Sequence, residues 1–393
     1  MAKSTVVILG ARRTPIGAML GVYANVAAPA LGAAAIKAAL ASAGADPGMV
    51  DEVIMGCVLP AGQGQAPARQ AALAAGLAQS VPATTVNKMC GSGMKAVMMA
   101  ADQLAAGSAD ILVAGGMESM TNAPYLLPKA RAGFRMGHGE ILDHMFYDGL
   151  QSPWDGKLMG CFADATAAKY TFSRADQDAF AAESVRRAVA AVESGAFAEE
   201  IGPVTVKDRK GERVIDRDET PFTVAIEKIP TLKPAFGKDG TVTAASSSSI
   251  SDGAAALLLA REDSAAARQL KPIARIVAHA SHAHAPEWFT TAPGGAIATV
   301  LKRAGWNASD VDLYEINEAF AVVSMAAMKD IGIAHDKVNV HGGACALGHP
   351  IGATGARILT TLIHALKRHG GRRGVAALCI GGGEATAVAI ELS

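Results

Sequence analysis

Apolar and polar positions along this chain follow one series of rhythms, and the series occurs twice. Ala34 to Gly56 aligns without a gap on Gly295 to Asn317, at a constant offset of 261 (295 minus 34). Each copy begins with an amphipathic helix that ends in Ala-Gly, at Ala43-Gly44 and Ala304-Gly305. Glycine there is a helix stop, because it enters the left-handed conformation at little cost. Each copy then passes through Val-Asp (Val50-Asp51 and Val311-Asp312) into a short apolar strand. A second pair of segments, 84–116 and 338–383, repeats the order strand, glycine-rich turn, helix, strand, glycines. Two copies of one α/β unit are the simplest account. Alternating strands and helices predict a mostly parallel sheet in each half, covered by helices.

The stretch 119–248 has a different character. It holds many of the chain's charges, Pro153 and Pro203, and a surface-helix pattern with Ser173 as N-cap and Gly195 as stop. It reads as an inserted loop domain laid over the first half. The expected organisation is therefore an N-terminal half at 1–118 plus 249–270, a loop domain at 119–248, and a C-terminal half at 271–393.

Composition narrows the classes. Of 393 residues, 50% are apolar and 18% charged, which supports a large core and excludes a disordered chain. Formal net charge is zero, so nothing points to nucleic acid or an anionic membrane. No apolar run reaches the roughly 18–20 residues of a membrane span. The N-terminus lacks the apolar region of a signal peptide. Five widely spaced cysteines do not suit a disulfide framework. The expectation is a soluble, cytoplasmic protein.

Cys90 lies between a strand and an apolar helix, flanked by Gly91 and Gly93. The helix dipole there should lower the thiol pKa, and the glycines allow a substrate close approach. The same segment, GSGMKA, matches a dinucleotide fingerprint, but no acidic residue ends the next strand, DILVAGG. His349 sits in another glycine-rich turn, and in the repeat frame it falls almost opposite Cys90 (349 minus 261 is 88). Its imidazole could take the thiol proton. Cys379 ends an apolar strand just before Gly381–Gly383, whose N–H groups could hold an oxyanion. Asn317, the repeat partner of Gly56, is either a turn residue or a site amide. His279, His282 and His284 lack a cysteine or carboxylate to complete a metal set. Cys57, Cys161 and Cys345 are read as structural.

VNKMCGSGMKA around Cys90, GGMESM at 115–120, NEAF at 317–320, GGACALGHPIGATGAR at 342–357 and CIGGG at 379–383 resemble the thiolase family. The match runs the length of the chain, and its short-chain members are the closest resemblance. It implies a five-layer αβαβα fold of two duplicated halves with an inserted loop domain. The implied activity is that of an acetyl-CoA C-acetyltransferase in fatty acid metabolism, condensing two acetyl-CoA to acetoacetyl-CoA and CoA through an acetyl-cysteine. By the same resemblance Cys90 is the nucleophile and His349 its activator. Cys379 is the base at the acetyl methyl group, and Asn317 positions a water for the enolate. The N–H groups of Cys90 and Gly381 hold the carbonyl oxygen. Met159, Ser248, Phe289, Ala319 and Phe320 fall at substrate-pocket positions, with Phe289 expected to limit chain length. No cofactor or metal is implied, since the coenzyme A thioesters are substrates. A homotetramer, a dimer of dimers, is implied, and the apolar, Met-rich stretches around 115–147 agree with self-association.

Three departures stand out. Leu158 precedes Met159 where relatives often carry histidine, residues 219–232 match the family's nucleotide-contacting segment poorly, and Glu384 follows the glycine run. Glu384 either tunes Cys379 or points to solvent. The alternatives to the acetyltransferase are a broader-chain 3-ketoacyl-CoA thiolase and a non-catalytic acyl-CoA-binding relative.

Overall fold

The computed structural model describes residues 4–208 and 211–393, with side chains from 4–207 and 211–393. Strands of the first half are β1 (Val6–Arg13), β2 (Glu52–Gly56), β3 (Ala83–Val86), β4 (Ile111–Ser119) and β5 (Ser251–Arg261). They pair in the order β3-β2-β4-β5-β1. The second half contributes β6 (Ala274–Ala283), β7 (Leu313–Ile316), β8 (Arg373–Ile380) and β9 (Glu384–Leu392), in the order β7-β8-β9-β6. A parallel bridge from Tyr314 to Val338 extends that sheet where β3 extends the first. The two sheets join where Val6–Ile8 of β1 pairs with Ala274–Ile276 of β6.

The repeat is therefore structural. Helices α1 (Ala28–Ala43) and α6 (Ala292–Ala304) both stop on left-handed glycines, Gly44 at φ 62° and Gly305 at φ 70°. The sheets are mixed, however, and not mostly parallel. β2 runs parallel to β3 and β4, and β7 parallel to β8, but β5 and β9 run antiparallel to both of their neighbours. The expectation assumed a crossover helix before every strand. β9 instead follows β8 through the three-glycine turn, and a turn that short can only return antiparallel.

Period-two burial assigns the layers. In β5, Ala254, Ala256, Leu258 and Ala260 face α1 and α2 (Pro67–Ala74), while Ala255, Leu257 and Leu259 face inward. The inward cluster also takes Met94, Val97 and Leu104 of α3 (Ser92–Ala106) and Leu359, Leu362 and Leu366 of α8 (Thr354–His369). It is completed by Leu378 of β8 and Val388 of β9. α3 and α8 thus form a central layer between the two sheets. α6 packs on the far face of the second sheet, together with Ala327 of α7 (Ala321–Ile331).

The loop segment carries α4 (Met159–Tyr170) and α5 (Arg174–Glu193). α5 opens with a Ser173–Asp176 capping box and is followed by Gly195 at φ 68°. These helices do not lie over the first half as expected. Phe162 of α4 packs with Phe289, Phe320 and Val322, and Val185 and Ala188 of α5 pack with Ala346 and Leu347, second-half residues, in a cluster that takes only Ile16 from the first half among the described residues. Val204, Val206 and Ile215 of a hairpin do reach the α1 core. The sequence shows an apolar face on these helices without showing which surface is free to receive it. Two acids of this segment, Glu200 and Asp218, are fully buried against Arg13 of β1, with Asp218 bidentate at 2.7 and 2.9 Å. Removing Arg13 would leave both carboxylates buried without their cation, at a cost of about 3–5 kcal/mol.

Candidate active site

The N-terminal turns of α3 and α8 meet in the central layer. A Cβ on Gly355 would lie 2.3 Å from the Met94 nitrogen, and one on Gly93 would lie 3.0 Å from the Gly352 oxygen. Only bare backbone permits so close a crossing. It brings the Cys90 turn of one half against the His349 turn of the other.

The Cys90 turn is tied down locally. Met89 adopts a left-handed φ of 47°, uncommon for a side-chain-bearing residue. Its N–H donates to Asn87 Oδ1 at 2.9 Å, and the Lys88 N–H donates to Ser92 Oγ at 2.8 Å. Cys90 then precedes the first helical residue by two. The Gly381 N–H and its own N–H point at the sulfur, yet burial outweighs them and pushes the thiol up to about 11. This reverses the dipole-lowered pKa expected from the sequence: at rest Cys90 is a thiol that needs a base.

His349 is buried, and its Nδ1 lies 2.6 Å from Thr354 Oγ1. That hydroxyl donates to the Pro350 carbonyl at 2.9 Å, so it accepts from Nδ1–H. The remaining nitrogen, Nε2, is left as the free base. Burial, and then the positive charge of Arg357, depress the imidazole to about 3, which keeps it neutral. Asn317 follows β7 and places Nδ2 3.5 Å from His349 Nε2, with Oδ1 buried and unpartnered among the described residues. Cys379, at the end of β8, is fully buried, and burial together with the neighbouring Cys90 charge raises its thiol well above the ordinary value. Gly381 follows, then Gly382 at φ 96° and Gly383 at φ 87°, a turn that requires glycine.

A cavity of about 360 Å3 opens onto His349. Met159, Ser248, Ala319 and Phe320 line it. A short ladder, Ser248 N–H to the Ala319 carbonyl at 3.0 Å and Ala321 N–H to the Ser246 carbonyl at 2.8 Å, holds that wall. Phe289 does not line this cavity, and neither do Cys90, Asn317, Cys379 or Gly381. Phe289 is buried edge-on against Phe162 at 6.3 Å, in the cluster that holds Met159 and Cys379. Phe289→Ala is accordingly expected to cost about 3–5 kcal/mol of stability, read by chemical denaturation, as for other buried aromatic truncations. Unchanged stability with a widened chain-length range would instead give Phe289 the chain-limiting role expected from the sequence.

Sequence reasoning missed several walls and supports. Phe146, Leu150, Phe236 and Ile351 line the cavity, as does Leu158, the departure noted above. Thr354, which fixes the histidine tautomer, was not singled out. Glu118 of the GGMESM segment is fully buried and accepts from the N–H groups of Val58 (2.9 Å), Leu59 (3.1 Å) and Gly352 (2.8 Å). Even so, burial pushes its carboxyl up to about 7. A buried carboxylate two residues past a glycine pair leaves no periodic signal. Glu384 neither contacts Cys379 nor stands free in solvent; it forms an ion pair with Lys88.

Family comparison agrees with this geometry. Residues 6–263 match the model of the thiolase N-terminal domain, and residues 270–392 that of the thiolase C-terminal domain. The chain belongs to the thiolase family. This thiolase is 48% identical over 387 residues to an acetyl-CoA acetyltransferase of Pseudomonas aeruginosa, covering 98% of each chain. It is 47% identical over 392 residues to an acetyl-CoA acetyltransferase of Rhizobium meliloti, covering 100% of each. The crystal structure of the Bacillus anthracis acetyl-CoA acetyltransferase superposes with a TM-score of 0.97 at 42% identity, covering 100% of both chains. The thiolase fold is thus shared over the whole length.

Proposed function

We propose that this thiolase is an acetyl-CoA C-acetyltransferase, interconverting two acetyl-CoA with acetoacetyl-CoA and CoA. The observation that carries the reading is the convergence on one sulfur. The Gly381 N–H is directed at Cys90, and Cys379 lies near enough for a charge on Cys90 to raise its thiol. A neutral His349 with a free Nε2 stands at the head of an apolar cavity suited to a pantetheine-linked acyl group.

Two half-reactions follow. His349 Nε2 takes the Cys90 proton as the sulfur attacks the thioester carbonyl of acetyl-CoA. The oxyanion is held by the Cys90 and Gly381 N–H groups. The C–S bond to CoA breaks, and the departing sulfur takes a proton from Cys379. Acetyl-Cys90 then faces a Cys379 thiolate and a His349 imidazolium, whose charges offset one another. In the second half, the thiolate removes a methyl proton from another acetyl-CoA. The enolate oxygen is held by the imidazolium and by a water positioned by Asn317. The enolate carbon attacks acetyl-Cys90, and the leaving Cys90 sulfur recovers its proton from His349. Nucleophile, base and anion sites are all supplied by this chain, so we assign no cofactor; the thioesters are substrates.

We place the enzyme in the cytoplasm; among the described residues no helix is long and apolar enough to cross a membrane. We also propose a homotetramer. Leu127, Met136 and Ile141 stand exposed on one excursion of the loop segment, Met136 at 95%, an apolar surface that further copies would cover.

The deciding experiment is thiolysis of acetoacetyl-CoA beside a ten-carbon 3-ketoacyl-CoA. Strong preference for the short substrate is expected. Equal kcat/KM would favour the broader-chain reading, and no turnover with either would leave a binding protein. The same preparation is expected to sediment well above the 40.0 kDa chain mass.

A further inference from the structure

Two residues 296 positions apart close over the edge of the site: Lys88 Nζ and Glu384 form an ion pair. Lys88 belongs to the strained turn, two residues before the nucleophile, and forms a bridge with Cys90 across Met89. Glu384 is the first residue of β9, paired with Ile380 across the glycine turn that carries Gly381. The Ile380 side chain packs directly on the Cys90 turn, since a Cβ on Gly91 would lie 2.4 Å from Ile380 Cδ1. One turn comes from each half, and each supplies one of the N–H groups directed at the Cys90 sulfur. Both side chains are partly exposed, at 26% and 36%, so the pair contributes little to global stability. Its location gives it another use.

We propose that Lys88–Glu384 is a positioning pair for acyl transfer, clamping the nucleophile turn of one half to the glycine turn of the other and so setting the spacing of the two oxyanion donors. The inference rests on the acetyltransferase reading. The reasoning is geometric. The Cys90 donor is on a loop, and the Gly381 donor is on a turn without side chains of its own to pack. Beside the Gly91–Ile380 contact and the Gly381 N–H directed at Cys90, this ion pair is a further tie between the two turns, made by side chains that flank them. Oxyanion stabilisation depends steeply on donor distance, so a small separation of the turns lowers the rate of carbonyl attack and leaves cavity binding intact.

The test combines charge removal with charge exchange. In Glu384→Gln and in Lys88→Met, kcat for thiolysis is expected to fall about tenfold with KM changed less than about twofold. Acetylation of Cys90 by acetyl-CoA, followed by intact mass, should slow equally. Alkylation of Cys90 by iodoacetamide, which develops no oxyanion, should keep its rate and pH profile. Lys88→Glu and Glu384→Lys should each be impaired, and the double exchange should recover at least about fivefold over the worse single variant. Wild-type kcat in Glu384→Gln, no recovery in the double exchange, or parallel loss of alkylation and acetylation would each overturn the proposal. If the wild-type protein itself never forms acetyl-Cys90, the activity reading has failed; if it does and the variants match it, only the pair has.

Discussion

Cys379→Ala should still form acetyl-Cys90 from acetyl-CoA but lose thiolysis and condensation by about 10²–10⁴-fold, the usual worth of a positioned general base. Cys90→Ala should lose every half-reaction, including exchange of CoA into acetyl-CoA. The contrast follows from what each sulfur does. Cys90 forms the bond to the acetyl carbon, with the Gly381 N–H directed at its sulfur. Cys379 is fully buried beside it and acts on the second substrate's methyl group. In the first half-reaction it only hands a proton to departing CoA, which can leave slowly as a thiolate. Intact-protein mass spectrometry after acetyl-CoA treatment, paired with steady-state thiolysis, reads both effects. A Cys379→Ala protein that is never acetylated would make the proton to CoA indispensable. One that is acetylated and thiolyses normally would move the base to another residue.

His349→Ala is expected to slow formation of acetyl-Cys90 by about 10²–10⁴-fold, again the range for a lost acid–base group. Its pH behaviour is the sharper test. An ordinary histidine of pKa 6.5 would be about nine-tenths protonated at pH 5.5, and as a base would lose about tenfold in rate between pH 8 and 5.5. His349 is depressed to about 3, so its free-base form persists throughout that window. The loss appears only as pH falls toward 3. Acetylation of Cys90 in the wild type should therefore change less than about threefold from pH 8 to 5.5 on account of this residue. Thr354→Val should reduce the rate less than His349→Ala, because it frees the tautomer without removing the imidazole. An acid limb near 6.5 that disappears in His349→Ala would contradict the buried, neutral histidine.

Much of the candidate site is written in local sequence because its parts are backbone devices. Cys90, His349 and Cys379 each sit beside glycines that the close crossing of α3 and α8 and the turn at 381–383 require, and such glycines are visible without a fold. The walls of the cavity are less legible. Phe146, Leu158 and Phe236 are single apolar residues in a loop segment, and in sequence they differ in no way from Phe289, which the fold buries in the same cluster as Phe236 without exposing it to the cavity.

The amino-acid sequence by itself determined the duplication, because hydrophobic period and helix-stopping glycines are properties of neighbouring residues and recur at the same offset in both copies. It also determined which turns could hold chemistry. Only the tertiary structure decided strand direction, since β5 and β9 earn their antiparallel places from what they follow and what edge is free. It decided that α4 and α5 dock on the second half, and that burial overrides the helix dipole at Cys90. It joined Lys88 to Glu384 as well. Each of these depends on groups far apart in the chain, and the energy of burial or of an ion pair exists only once folding has brought them within contact distance.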